Sequence, residues 1–159
     1  MHALTEISVS TWGIGELRLL LPAMRLLHQA DRWLVWIAPP FVPYAPALCR
    51  DGLDLHRVLV VDTRGSEADL WWSLEKLLRH PVAGLVMGWP QRLKPVALRR
   101  LQLAAEEGGT MGVLFHREHI ASTPAALRIA LAPVEGGLEV RILKARGGFG
   151  GTSVRVVLD

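Results

Sequence analysis

The sequence is poor in the features that usually mark a reactive site. Its 159 residues include one cysteine, Cys49, so no internal disulfide can form. No Cys/His cluster stands at zinc-ligand spacing, and neither a metal nor a cofactor is expected. A reducing, cytoplasmic setting follows from that cysteine usage. No apolar run approaches the roughly 18 residues of a membrane-spanning helix, because Arg32, Pro39 and Pro40 interrupt the best candidates. The N-terminus lacks the basic stretch and apolar core of a signal peptide. No G-x-S-x-G elbow is present, so the scattered Ser, His and Asp residues do not suggest a hydrolase. Charge of one sign is also scarce. A net charge of +3 permits contact with nucleic acid or an acidic protein without demanding either.

What is present describes a globular chain. Half of the residues are hydrophobic and 21% are charged, a balance that sustains a substantial core rather than disorder. Six tryptophans are many for this length, and any that reach the surface would suit a partner-binding face.

Strand and helix signals alternate through most of the chain. A strand over 3–9 precedes a Leu-rich helix over 16–29, expected to be buried on most of its surface, with a kink or a late start at Pro22. The continuous apolar run 33–38 predicts a central parallel strand, ended by Pro39–Pro40. A short helix over 46–51, a strand over 55–61 and a helix over 67–79 follow, the last with Ser66 as N-cap and Asp69 three residues on. A buried strand over 82–89, a periodic helix over 95–107 capped by Gly108–Gly109 and a strand over 110–116 complete the alternation. Beyond it, 127–132 and 138–143 read as a hairpin at the sheet edge. The fold class is therefore α/β, a mostly parallel sheet flanked by helices with a C-terminal antiparallel hairpin. A single domain over 1–143 is expected. The basic, Gly-rich segment 144–159 is either flexible or ends in a short strand over 153–158.

The stretch Ser10-Thr11-Trp12-Gly13-Ile14-Gly15-Glu16-Leu17 lies between the first strand and the first helix, where a P-loop would sit. Gly15 keeps the second glycine of that pattern. Ser10 replaces the first glycine, Glu16 the phosphate-binding Lys and Leu17 the Mg²⁺-holding Ser/Thr. Ser10, Gly13, Gly15 and Glu16 thus form a degenerate loop with no capacity for nucleotide. Asp62, at a strand end, could serve a metal or a ribose, but its place before Thr63–Arg64–Gly65 better fits a turn-forming Asp. His116 and His119 have no partner ligands at suitable spacing and are expected at the surface.

The order of elements resembles a shortened RecA-type core of three layers. Glu6–Ile7 precedes the loop as in that family, and VLVVDTRGSEADLWWSLEKLLRHPVAGLVMGWP has its strand–turn–helix–strand layout. In active relatives the strand matching 84–89 would end in a Walker-B Asp, where this chain has Gly88–Trp89. The strand matching 33–38 would lead to a water-activating Glu, where Pro39–Pro40 stands. Loss at three separate places implies a scaffold without ATPase activity. Two degenerate families of the bacterial SOS response resemble the chain over nearly its whole length: ImuA, accessory to an error-prone translesion polymerase, and SulA, the division inhibitor that binds FtsZ. Both share the Leu-rich helix with Pro22, the Asp-Arg-Trp start of the second strand and its Ala38–Pro39–Pro40 end. GIGELRLLLPAM, WIAPPFVPYAPAL, LRRLQLAAEEGG and the continuation LRIALAPVEGGLEVRILKARGG look closer to ImuA.

On that resemblance the expected function is a non-catalytic accessory role in translesion synthesis. The implied partners are RecA and an ImuB-like polymerase homologue, and docking by subunit-type packing leaves room for a homo-oligomer. Lys144 and Arg146 would contact the partner or, weakly, DNA phosphates. The SulA-like alternative implies inhibition of FtsZ polymerisation through a surface near Arg32, Trp33 and Arg57. There Arg and Trp make good anchors, although Trp33 and Trp36 sit in a pattern that favours the core.

Overall fold

In the computed structural model, which describes residues 2–118, 122–148 and 150–158, the first strand, β1 (Leu4–Val9), lies inside the sheet and not at its margin. A single-turn 3-10 helix (Arg18–Leu20) leads into α1 (Leu21–Gln29), with Pro22 in the first helical turn. A missing N–H costs nothing there, which gives the late start expected of this proline. The Leu-rich stretch differs from expectation in its burial. Leu20, Met24 and His28 face inward while Leu26 is 67% exposed, so this helix is amphipathic, with leucines spread around more of its surface than it buries.

β2 (Trp33–Ile37) is followed by the short α2 (Ala45–Arg50) and by β3 (Val58–Val61). Residues expected to begin that strand form a 3-10 turn (Leu55–Arg57), because the Asp54 carboxylate accepts the His56 N–H at 2.9 Å and holds the chain in a turn. α3 (Glu67–Leu78) starts where Ser66 Oγ accepts the Asp69 N–H at 3.2 Å. β4 (Ala83–Gly88), α4 (Pro95–Gly108) and β5 (Met111–His116) follow, with Gly109 in the left-handed conformation (φ 62°) closing α4. No helix of the described residues is long and apolar enough to cross a membrane.

The remainder is β6 (Leu127–Val134), β7 (Gly137–Ala145) and β8 (Ser153–Val157). β6 and β7 are joined by the two-residue turn Glu135–Gly136, with Gly136 at φ 71°, a left-handed conformation that glycine adopts without strain. The sheet order is β3-β2-β4-β5-β1-β6-β7-β8. β1 to β6 are mutually parallel, and β7 is antiparallel to both β6 and β8. The mixed α/β architecture with a C-terminal antiparallel element is therefore as expected. Lys144 and Ala145 still belong to β7, so the basic segment begins inside the sheet.

Alternation along the strands divides the core in two. Leu4, Val35, Ile37, Val86 and Leu114 pack with Leu70, Leu74, Leu78, Leu98 and Leu101 of α3 and α4. Ile7, Val9, Leu34, Trp36, Leu85, Met87, Val113 and Phe115 pack on the other side with Leu20 and Met24. No residue of β6 to β8 belongs to the core cluster that α3 and α4 form.

Candidate functional site

At the C-terminal ends of the parallel strands lies the loop 10–17. The Gly13 N–H donates to Glu16 Oε1 at 3.0 Å and the Gly15 N–H to Glu16 Oε2 at 3.1 Å. Glu16 is 6% exposed. Glu16 thus directs its own carboxylate at the amides of its loop, groups that could otherwise serve an anion. Gly13 and Gly15 hold φ 81° and 106°, open to glycine and strained for other residues. A side chain at Gly15 would also run into Leu158, just past β8.

Neighbouring strand ends are filled by apolar groups. A methyl group at Gly88 would lie 2.8 Å from Leu74 Cδ2, so the position carries no side chain because α3 covers it. Trp89 stacks on Phe115 at 5.0 Å between ring centroids and lies 6.2 Å from Trp36. Glu67 spends both carboxylate oxygens inside the protein, one on the Gln91 N–H and one on Trp71 Nε1. Asp62 accepts the Arg64 N–H at 2.8 Å, the hydrogen bond of a turn-forming Asp. Among the described residues no group of three His, Cys, Asp or Glu side chains could hold a metal ion.

At the opposite ends of the strands the structure brings Arg32, Trp33 and Arg57 together around the turn between α1 and β2. Arg57 Nη1 bonds the Asp31 carboxylate and reaches the His28 carbonyl at 3.4 Å. Arg32 Nη2 donates to the carbonyls of Ala83 (2.5 Å) and Gly109 (3.3 Å), joining the start of β4 to the end of α4. Trp33 is 36% exposed, whereas Trp36 is buried. Only one of these two tryptophans is therefore core. Lys144 and Arg146 lie elsewhere, on the far side of β1. Lys144 Nζ donates to the Thr123 carbonyl at 2.7 Å, and Arg146 pairs with Glu106 of α4 at 3.0 Å.

One charged cluster was missed in the sequence. Glu6, His116 and Arg128 are 1%, 2% and 7% exposed. Glu6 Oε2 lies 3.2 Å from Arg128 Nε and 3.8 Å from His116 Nε2. His116 is therefore buried and not at the surface, because the ladder places it beside Ser8 of β1; His119 lies outside the described residues. Burial pushes the Glu6 carboxyl above the usual range, with the Thr123 hydroxyl and the Arg128 guanidinium opposing that shift. The available signal was polar residues at inward positions, Glu6 and Ser8 in the series begun by Leu4.

Comparison with known proteins addresses the same core. The family model described as cell division inhibitor SulA matches residues 5–112. The cell division inhibitor SulA of Pseudomonas aeruginosa is 35% identical over 108 residues, 67% of this chain and 66% of that protein. That of Edwardsiella piscicida is 32% identical over 111 residues, 67% of this chain and 66% of that protein. The chain thus spans just under two thirds of the length of these curated relatives. The crystal structure of SulA from Pseudomonas aeruginosa superposes with a TM-score of 0.57 at 28% identity, covering 70% of this chain and 96% of that one.

These findings overturn the closer likeness to ImuA and, with it, the expected translesion role and the RecA and ImuB-like partners. That preference rested on three stretches within residues 13–109, which the SulA model matches, and on the continuation past β5, which lies outside the matched residues and cannot separate the two families. Matched from the first strand into the fifth, and sharing that core with a solved relative, the chain belongs to the SulA family of cell division inhibitors.

Proposed function

We propose that this chain inhibits bacterial cell division in the SOS response by binding FtsZ in the cytoplasm and blocking its polymerisation, with no chemical step of its own. The observation that carries this reading is the SulA family match over residues 5–112. The contact surface we assign is the end of the sheet where Arg32, Trp33 and Arg57 converge. Trp33 offers apolar area with a polar edge, and the guanidinium of Arg57, paired at one Nη with Asp31, keeps further donors for a partner. Arg32 positions the surface by tying β4 to α4. The scaffold is read as a RecA-type core without its motor, a view supported by Glu16 seated on its own loop amides and by Trp89 packed where a metal-binding Asp would stand.

Light scattering or sedimentation of FtsZ assembled with GTP tests the reading. The chain should suppress polymer at concentrations near those of FtsZ, with no need for ATP. Arg57→Ala and Trp33→Ala should each weaken suppression about tenfold or more, the loss typical of a hot-spot anchor. Full assembly in a several-fold excess of the folded chain would overturn the assignment.

A further inference from the structure

The family match ends at Gly112, inside β5, yet the sheet continues beyond β1 through β6, β7 and β8. This continuation builds a cleft of about 580 Å³ lined by residues from β1, from the end of β5 and from β6 and β7. Its size falls in the ordinary range of small-molecule sites, about 300–1,000 Å³. The ladder explains its shape. One row across four strands reads His116, Ser8, Ala130, Arg141. Two small side chains in the middle form a floor, and longer ones stand at either side.

In the row below it, Glu6 pairs with Arg128 and Lys144 donates to the Thr123 carbonyl. Glu118 is engaged as well, accepting the Leu93 N–H at 2.8 Å. Arg117 and Arg141 line the same cleft, are exposed, and make no ion pair among the described residues. The exposed Ser10 adds a hydroxyl at the rim, while Val9, Leu131 and Leu143 supply apolar wall. Two guanidiniums with unspent donors facing one concave site match the oxygens of a phosphate group, and the apolar wall suits an organic moiety beside it.

We propose that this cleft binds a small phosphate-bearing anion, held by Arg117 and Arg141, both of which lie beyond the residues matched by the family model. The binding is independent of the FtsZ reading and can succeed or fail without it.

Amide chemical-shift titration of the isotope-labelled full chain with inorganic pyrophosphate and with AMP tests the proposal at low salt. Saturable shifts confined to residues around Ser8, Ser10, Arg117 and Arg141 are expected. Arg141→Ser and Arg117→Ser should each weaken binding about tenfold, the loss of one charge-assisted contact. Arg50→Ser, on the exposed face of α2, should leave it unchanged. Both cleft arginines are exposed, so the variants should retain the parent melting temperature. Shifts spread over surface cations generally, or an equal loss in Arg50→Ser, would overturn the site. Binding of a thymidine oligonucleotide without binding of pyrophosphate or AMP would also overturn it, because the phosphate would then belong to a polymer.

Discussion

At the scale of single residues, Glu16 and Glu6 show two ways of accommodating a buried carboxylate. Glu16 is satisfied by backbone, accepting from Gly13 and Gly15. Glu16→Ala leaves those N–H groups without their acceptor and should cost about 1–2 kcal/mol by urea denaturation; Glu16→Gln, which keeps one acceptor oxygen, should cost less. Glu6 pairs through Oε2 with Arg128 while its buried Oε1 accepts no hydrogen bond among the described residues, and burial dominates, raising its pKa above the ordinary 4.5. A carboxyl that binds its proton more tightly in the folded state stabilises the fold fully at low pH. That contribution is lost as pH rises from the ordinary Glu value through the raised one. Unfolding free energy measured across that window should therefore carry a downward component with rising pH that is absent in Glu6→Gln. Equal slopes in the two proteins would remove Glu6 as its source. Neither role was visible in the sequence. A Glu in a strand reads as an outward residue until its neighbours are known, and Arg128 lies more than a hundred residues away in the chain.

Among elements, β3 is the exposed margin of the sheet. It is short and apolar, with Leu59 and Val60 at 40% and 44% exposure and no charge or proline within Val58–Val61. Such an edge is a template for pairing with another chain. Val60→Lys should lower light scattering of concentrated protein while shifting stability by no more than about 0.5 kcal/mol. Strands and helices of the parallel part were legible because each carries a run of strong periodicity bounded by Pro, Gly or an N-cap. Pro22, Ser66 and Gly109 fix their helix ends by local chemistry that sequence alone contains. The stretches that misled, 16–20 and 55–57, are apolar enough to resemble regular elements. They are turned instead by contacts such as Asp54 to His56 and Glu16 to its loop, which act through side-chain geometry and not through pattern.

For the whole molecule, the sheet separates the two proposed surfaces. The surface around Arg57 lies at the starts of β2 and β3, within the residues matched by the family model. The cleft around Arg141 lies at the other end, between β1 of the matched core and the strands beyond the match. Arg141→Ser should thus leave suppression of FtsZ polymer intact while abolishing most anion binding, and Arg57→Ala should do the reverse. Coupled losses in both assays would show that the two ends are not independent. The proposed partner surface was reachable from sequence only through resemblance, since nothing in the spacing of Arg32, Trp33 and Arg57 announces that one turn gathers them. The loop at residues 10–17 has a further meaning at this scale. A carboxylate tethered one and three residues from the two amides it fills competes at an effective concentration that dissolved phosphate does not approach. P-loop motors keep time by loading and spending a nucleotide. A loop whose amides are filled by the chain's own carboxylate has no such clock, so on the proposed reading the duration of a grip on FtsZ is set by dissociation and by how many copies the cell maintains.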